Sequence, residues 1–178
     1  MLQHKAFIFD SDAFAIGLGS ILAQGLSTSD NSGLVEFVND NIAKLVDPYE
    51  GRPLTEDWQN LLETPDAHQY GDFALTKFYD PAADIGLGQD WQPVMKVLSL
   101  ETPRSTAIVL GQAFGPTGNY FDPGKLGSYF QSAEDVRRNL SEARSIEAYK
   151  PGIGPRLSGL LDILQQASEA GMGLYVTL

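Results

Sequence analysis

The chain has 178 residues, 43% of them hydrophobic and 20% charged, which fits one globular domain with a real core and excludes a wholly disordered chain. It contains no cysteine and only His4 and His68, so disulfide scaffolds, thiol chemistry and cysteine-based metal sites are excluded, and a histidine-based centre would have to use one of those two residues. A formal charge of −11 repels phosphate backbones and disfavours nucleic acid as a partner.

Gly, Asp, Gln or Ser interrupts every apolar run before it reaches membrane-spanning length, so no membrane partner is expected. The start, MLQHKAFIFD, has a single Lys and a short apolar run that meets Asp10 at once, a poor signal peptide, and the expected location is cytoplasmic.

HKAFIF, His4 to Phe9, reads as a buried strand. Phe14, Leu18, Ile21 and Leu22 then recur at helical spacing, with Asp10 or Ser11 as cap and Gly25 as stop. Ser32 opens a second helix on the stripe Leu34, Phe37, Val38, Ile42 and Leu45, ended by VDPYEGRP. Thr55 caps a short helix, TEDWQNLL, whose Trp58, Leu61 and Leu62 face inward, and ETPDAHQYG follows as loop.

Asp72 to Asp80 alternates well enough for a strand, and Pro81 turns the chain. Trp91, Val94, Met95 and Leu98 lie at i, i+3, i+4 and i+7 of a helix from Asp90 to Leu100, where Pro93 falls in the tolerant first turn. TAIVLG, Thr106 to Gly111, is the most apolar short run and is expected as the central strand. GQAFGPTGNYFDPGKLG is too rich in Gly, Pro and Asn for regular structure.

Ser132 starts a helix with the capping box SAED, PGIGP breaks it, and Leu157, Leu160, Leu161 and Leu164 mark the last helix. GLYVTL closes the chain as a strand. Strands and helices are mixed without strict alternation, so the expected class is α+β: one compact domain over residues 1–178, with a small mixed sheet of about four to five strands packed with about five helices.

The motif KAFIFDSDAF resembles the first motif of haloacid dehalogenase-like phosphatases, an apolar strand ending in D-x-D. That resemblance implies Asp10 as phosphoryl nucleophile and Asp12 as general acid/base beside magnesium. TAIVLG ends in Gly rather than the Ser or Thr such a site needs, and no late strand ends in an acidic pair. Asp10 also reads as an acidic N-cap, because carboxylates favour the positive end of a helix.

Asp-Pro recurs in VDPYE, YDPAAD and FDPGK, where Asp80, Asp84 and Asp122 are hard-oxygen donors or ordinary turn residues. None has calcium-loop spacing, and GLGQD and GQAFGPTG lack the phosphate-loop patterns, so no cofactor or metal site is expected. Tyr79 borders the first of these turns, and Tyr120, Phe121, Tyr129 and Phe130 fall in or beside the long loop. Together with Asp122, the four aromatics Tyr120, Phe121, Tyr129 and Phe130 would form an acidic, aromatic contact surface or else pack beneath the long loop.

From Trp91 onward the chain resembles the YfbM-like family of uncharacterised bacterial proteins. The resemblance rests on Trp91 with Leu98, TAIVLG, DPGK at Asp122 to Lys125, SAEDV at Ser132 to Val136, and the closing GMGLYVTL. Met95 stands where that family commonly has His, and DPGK replaces its G-P-A-R turn. The resemblance implies an α+β domain, with an immunity-type role among the relatives. The reading expected from charge and loops is a non-catalytic protein whose Tyr79, Asp80, Asp84, Tyr120, Phe121 and Asp122 meet a basic protein partner. The alternatives are a magnesium-dependent phosphohydrolase using Asp10 and Asp12, and a small-molecule-binding domain with a pocket beside Gln112 to Lys125.

Overall fold

The computed structural model describes residues 1–178. A row of aromatic side chains across three strands organises it. Strand β1 (Lys5–Phe9) and strand β2 (Ser128–Gln131) flank strand β3 (Gly173–Thr177), both antiparallel to it. The register places Phe7 and Phe130 opposite Tyr175, whose ring stacks on Phe130 at 5.0 Å.

Because side chains alternate along a strand, each face has its own core. Phe7, Phe9, Phe130 and Tyr175 point to one face, while Ala6, Ile8, Tyr129, Leu174 and Val176 point to the other. The first face is covered by helices α1 (Ser11–Gly17), α2 (Gly19–Thr28), α3 (Ser32–Asn41) and α4 (Ala67–Leu75). The second is covered by α5 (Trp91–Ser99), α6 (Ser105–Val109), α7 (Ala133–Tyr149) and α8 (Gly154–Glu169). Two-sided cover explains why β1 and β3 read as nearly continuous apolar runs. No helix is long and apolar enough to cross a membrane.

The class is α+β, but the sheet has three strands, all antiparallel, with eight α-helices around it, rather than a mixed sheet of four to five strands with five helices. Three assignments change. Thr106–Gly111 is no central strand: Ser105–Val109 is helical, with Ile108 N–H donating to Arg104 and Leu110 N–H to Thr106. A short apolar run suits a buried helix as well as a strand, and here Ile108, Val109 and Leu110 are all buried.

Asp72–Asp80 is likewise no strand. Asp66, after Pro65, caps α4 by accepting from Gln69 N–H, and the helix runs to Leu75. Seven of its residues are buried, since it packs between α2 and α3 and beneath Phe121, so no one-sided stripe betrays it. Conversely, Ser128–Gln131, next to the glycine-rich loop, forms β2 because β3 offers it a partner far along the chain.

Other expectations hold or shift slightly. Ser132 makes a reciprocal capping box with Asp135 at the start of α7. Gly25 does not stop the first expected helix, which divides into α1 and α2 and runs to Thr28. A Cβ at Gly25 would lie 2.9 Å from Leu34, so Gly25 is where α2 and α3 come close. Trp58 is fully buried and donates to Asn39 Oδ1, while Trp91 is half-buried and donates to the Leu2 carbonyl.

Both histidines fasten loops. His4 is 1% exposed; its Nδ1 accepts from Leu87 N–H at 3.1 Å and its Nε2–H donates to the Val109 carbonyl at 2.9 Å. His68 repeats the scheme, with Nδ1 accepting from Asp122 N–H and Nε2–H donating to Asn119 Oδ1. His4 thereby ties the segment before α5 and the end of α6 to β1, and His68 ties the glycine-rich loop to α4.

Candidate functional site

The helices on the Phe7–Tyr175 face do not reach one end of the sheet. There the next pleat on the same face is polar: Lys5 and Ser128 both lie opposite Thr177. Lys5, Thr177 and Ser128, with Phe7 and Tyr175 behind them, floor a cleft of about 300 Å³. Its walls are Pro48 and Tyr49 from the loop after α3, Asp72 of α4, Tyr79 and Pro81 of the turn after α4, and Pro123, Gly124 and Gly127 of the glycine-rich loop.

Asp72 is the unusual member. Its position is 5% exposed, and it lines this cleft. The chain's ion pairs join Arg52 to Glu50, Arg104 to Glu142 and Lys150 to Glu101, so no cation of the protein pairs with Asp72. The Tyr49 phenol lies near enough to favour the charged form of its carboxyl. Burial raises the Asp72 carboxyl to about 7, against a smaller opposing effect of Tyr49 and with a still smaller push upward from the Asp47 charge.

Three phenols surround it. Tyr79 and Tyr175 rings meet at 5.1 Å, and Phe7 packs on Tyr79 at 5.0 Å. Burial, then the neighbouring ionisable groups, push both phenols well above their ordinary value, so they stay protonated. Ser128 Oγ stands 3.5 Å from the Tyr175 hydroxyl. Tyr49 differs in being 69% exposed, and its phenol is pushed up first by burial and then by the Asp72 charge.

The parts are held firmly. Asp47 Oδ1 accepts from Tyr49 N–H at 2.8 Å and Glu50 N–H at 3.2 Å, and Asp47 N–H donates to the Arg52 carbonyl, which fixes the Tyr49 loop. Thr76 Oγ1 donates to Phe73 O at 2.8 Å and accepts from Val46 N–H at 3.2 Å, joining that loop's root to α4. A Cβ on Gly71 would lie 2.6 Å from Leu22 and 2.8 Å from Phe121, so only glycine lets α4 sit close enough to α2 and Phe121 to carry Asp72 into the cleft.

The residues expected to form a contact surface separate in the structure. Tyr79 lines the cleft. Asp80 turns its carboxylate onto Ala82 N–H, and Asp84 accepts from Ala6 and Gly86 N–H, so both secure the connection between α4 and α5. Asp122 accepts from Gly127 N–H and helps fold the cleft's loop wall. Tyr120 is exposed, but Phe121 is 0% exposed and belongs to the core, which removes it from any contact surface. A loop aromatic three residues after a flexible glycine became core because His68 and Gly71 hold a place for it.

Asp10 caps α1 by accepting from Ala13 N–H, and Asp12 is exposed in the first turn. The strand they follow lies in an antiparallel sheet, and no cluster of three or more His, Cys, Asp or Glu gathers there or elsewhere in metal-holding geometry. Sequence reasoning missed Asp72 and Tyr49. The only hint for Asp72 was an acid inside an otherwise apolar run, FALTKF beginning directly after it, and Tyr49 hid in a Pro-Gly loop.

Two wider grooves, of about 480 and 490 Å³, lie at Leu100–Tyr149–Arg156 and along Arg137–Arg144, but neither contains a buried ionisable group. An all-polar hollow of about 320 Å³ borders the cleft across Pro123 and Gly124, and its His68 and Gln69 are already engaged by backbone. No protein-family model, curated protein or solved structure matches the chain. The YfbM-like resemblance therefore rests on the sequence motifs alone.

Proposed function

We propose that this chain is a binding protein for a small polar molecule, taken into the cleft that Tyr49 and Asp72 line. The observation that carries the reading is Asp72, a carboxyl kept 5% exposed, opening into a cavity and left without a cation of the protein. Burying such a group costs stability unless something pairs with it, and clefts that hold one are where ligands supply the partner. A volume of about 300 Å³ is at the small end of ligand pockets, and a lining that mixes Tyr79 and Tyr175 with Lys5, Asp72, Ser128 and Thr177 suits a polar guest.

A basic protein partner meeting Asp80, Asp84 and Asp122 has the −11 charge in its favour, but each of those carboxylates already accepts from nearby backbone. The phosphohydrolase reading loses Asp10 to a helix cap. The test is a thermal-shift screen of small polar compounds against the wild type and Asp72→Asn. A ligand that fills the cleft raises the wild-type melting temperature in a concentration-dependent way. A screen in which every hit acts equally on Asp72→Asn overturns the reading.

A further inference from the structure

Resting on that reading, we infer that the cleft selects an organic ammonium ion, whose N–H groups meet the Asp72 carboxylate and the phenol oxygens of Tyr79 and Tyr175 and whose short apolar stem lies against Phe7. The carboxyl is the buried charged group of the cleft and has no ion-pair partner, and an ammonium provides both the charge and the donors. Phenol oxygens accept hydrogen bonds, and electron-rich rings attract cations, so Tyr49, Tyr79 and Tyr175 suit the same guest. The chain's −11 charge raises the local concentration of cations and depletes anions.

Lys5 sets a limit. It is exposed on the outermost row of the cleft floor and lines the mouth, so it repels a second positive charge at the far end of the guest. Monoamines are therefore favoured over diamines of similar length. Binding is also linked to protons: the guest pairs with ionised Asp72, which at pH 6 must first lose its proton, since this carboxyl titrates at about 7.

The experiment is calorimetric titration of the full chain with n-butylammonium, 1,5-diaminopentane, butyrate, butanol and the tripeptide Gly-Lys-Gly, at pH 6 and pH 8 and constant ionic strength. The expected result is that n-butylammonium binds, about tenfold more tightly at pH 8 than at pH 6, more tightly than the diamine, and not to Asp72→Asn. The pH dependence is read on the wild type and stands even if that variant misfolds.

The tripeptide distinguishes two sources of one chemistry. Tighter binding of Gly-Lys-Gly than of n-butylammonium identifies a lysine side chain of a basic partner as the guest; the reverse identifies a free amine. Binding of butyrate or butanol without any amine overturns the ammonium assignment and leaves the cleft as a binding site. A screen and a titration in which no compound binds overturn both.

Discussion

The Tyr49 phenol, carried on the loop between α3 and α4, lines the same cleft as the Asp72 carboxyl and favours its charged form. The two residues are brought together by separate devices: the Asp47 turn presents Tyr49, and the glycine at position 71 lets α4 sit deep. A donor near a carboxylate favours its charged form, so Tyr49 holds the Asp72 carboxyl lower than burial alone would. Tyr49→Phe is expected to move the Asp72 midpoint upward from about 7, read by carboxyl NMR, with stability changing by less than about 1 kcal/mol. An unchanged midpoint would show that the hydroxyl does not act on Asp72.

Asp72 makes the fold less stable at high pH. Its folded value, about 7, lies above the unfolded value of 3.8, so the stability it permits is fully present below pH 3.8 and is lost as pH rises through about 7. Asp72→Asn removes this dependence. In urea melts the variant should gain on the wild type progressively between pH 4 and pH 7, by up to about 4 kcal/mol above pH 7. A gain that does not grow with pH would contradict the burial of an ionisable group there.

His4 acts with the opposite slope. Burial lowers its value from 6.5 against smaller raising effects that include the Val109 carbonyl and the Asp84 charge, and the unprotonated Nδ1 accepts from Leu87 N–H. The neutral form is the folded form, so its contribution is present above pH 6.5 and is lost as pH falls through the lowered folded value. His4→Ala should cost about 2–4 kcal/mol at pH 7.5, leaving the Leu87 N–H and Val109 carbonyl without their partner. Chemical melts of wild type and variant at pH 7.5 and pH 5 check this, and the cost should be smaller at pH 5.

Two glycines at the cleft should respond differently to the same added methyl. Gly71→Ala drives a Cβ into Leu22 and Phe121, both fully buried, and should destabilise by about 1–3 kcal/mol. Nothing stands within 4 Å of a Cβ at Gly124, on the cleft's loop wall, so Gly124→Ala should change stability by less than about 0.5 kcal/mol. Equal losses would mean that α4 does not depend on close approach.

What the sequence made legible was what local rules decide. HKAFIF and GLYVTL are long enough and flanked clearly enough to read as strands, and the Ser132 box needs only its own four residues. Elements decided by distant neighbours were hidden. Helix α4 is apolar nearly all round because α2, α3 and Phe121 enclose it, and β2 exists because β3 pairs with it from the far end of the chain. The cleft was half visible: the YDPAAD turn and the FDPGK loop do border it, through Tyr79, Pro81, Pro123 and Gly124. Its central residue was not, because Asp72 acquires its character from burial, which no local pattern around it encodes.

The measurement that bears most directly on all of this is a carbon-13 carboxyl titration of Asp72 in the full chain. A midpoint of about 7 in the free protein, shifting downward when the cleft is loaded with n-butylammonium, is the expected result. A midpoint near 3.8 that ignores the amine would mean that Asp72 is already solvated or paired, and would contradict the cleft as a binding site.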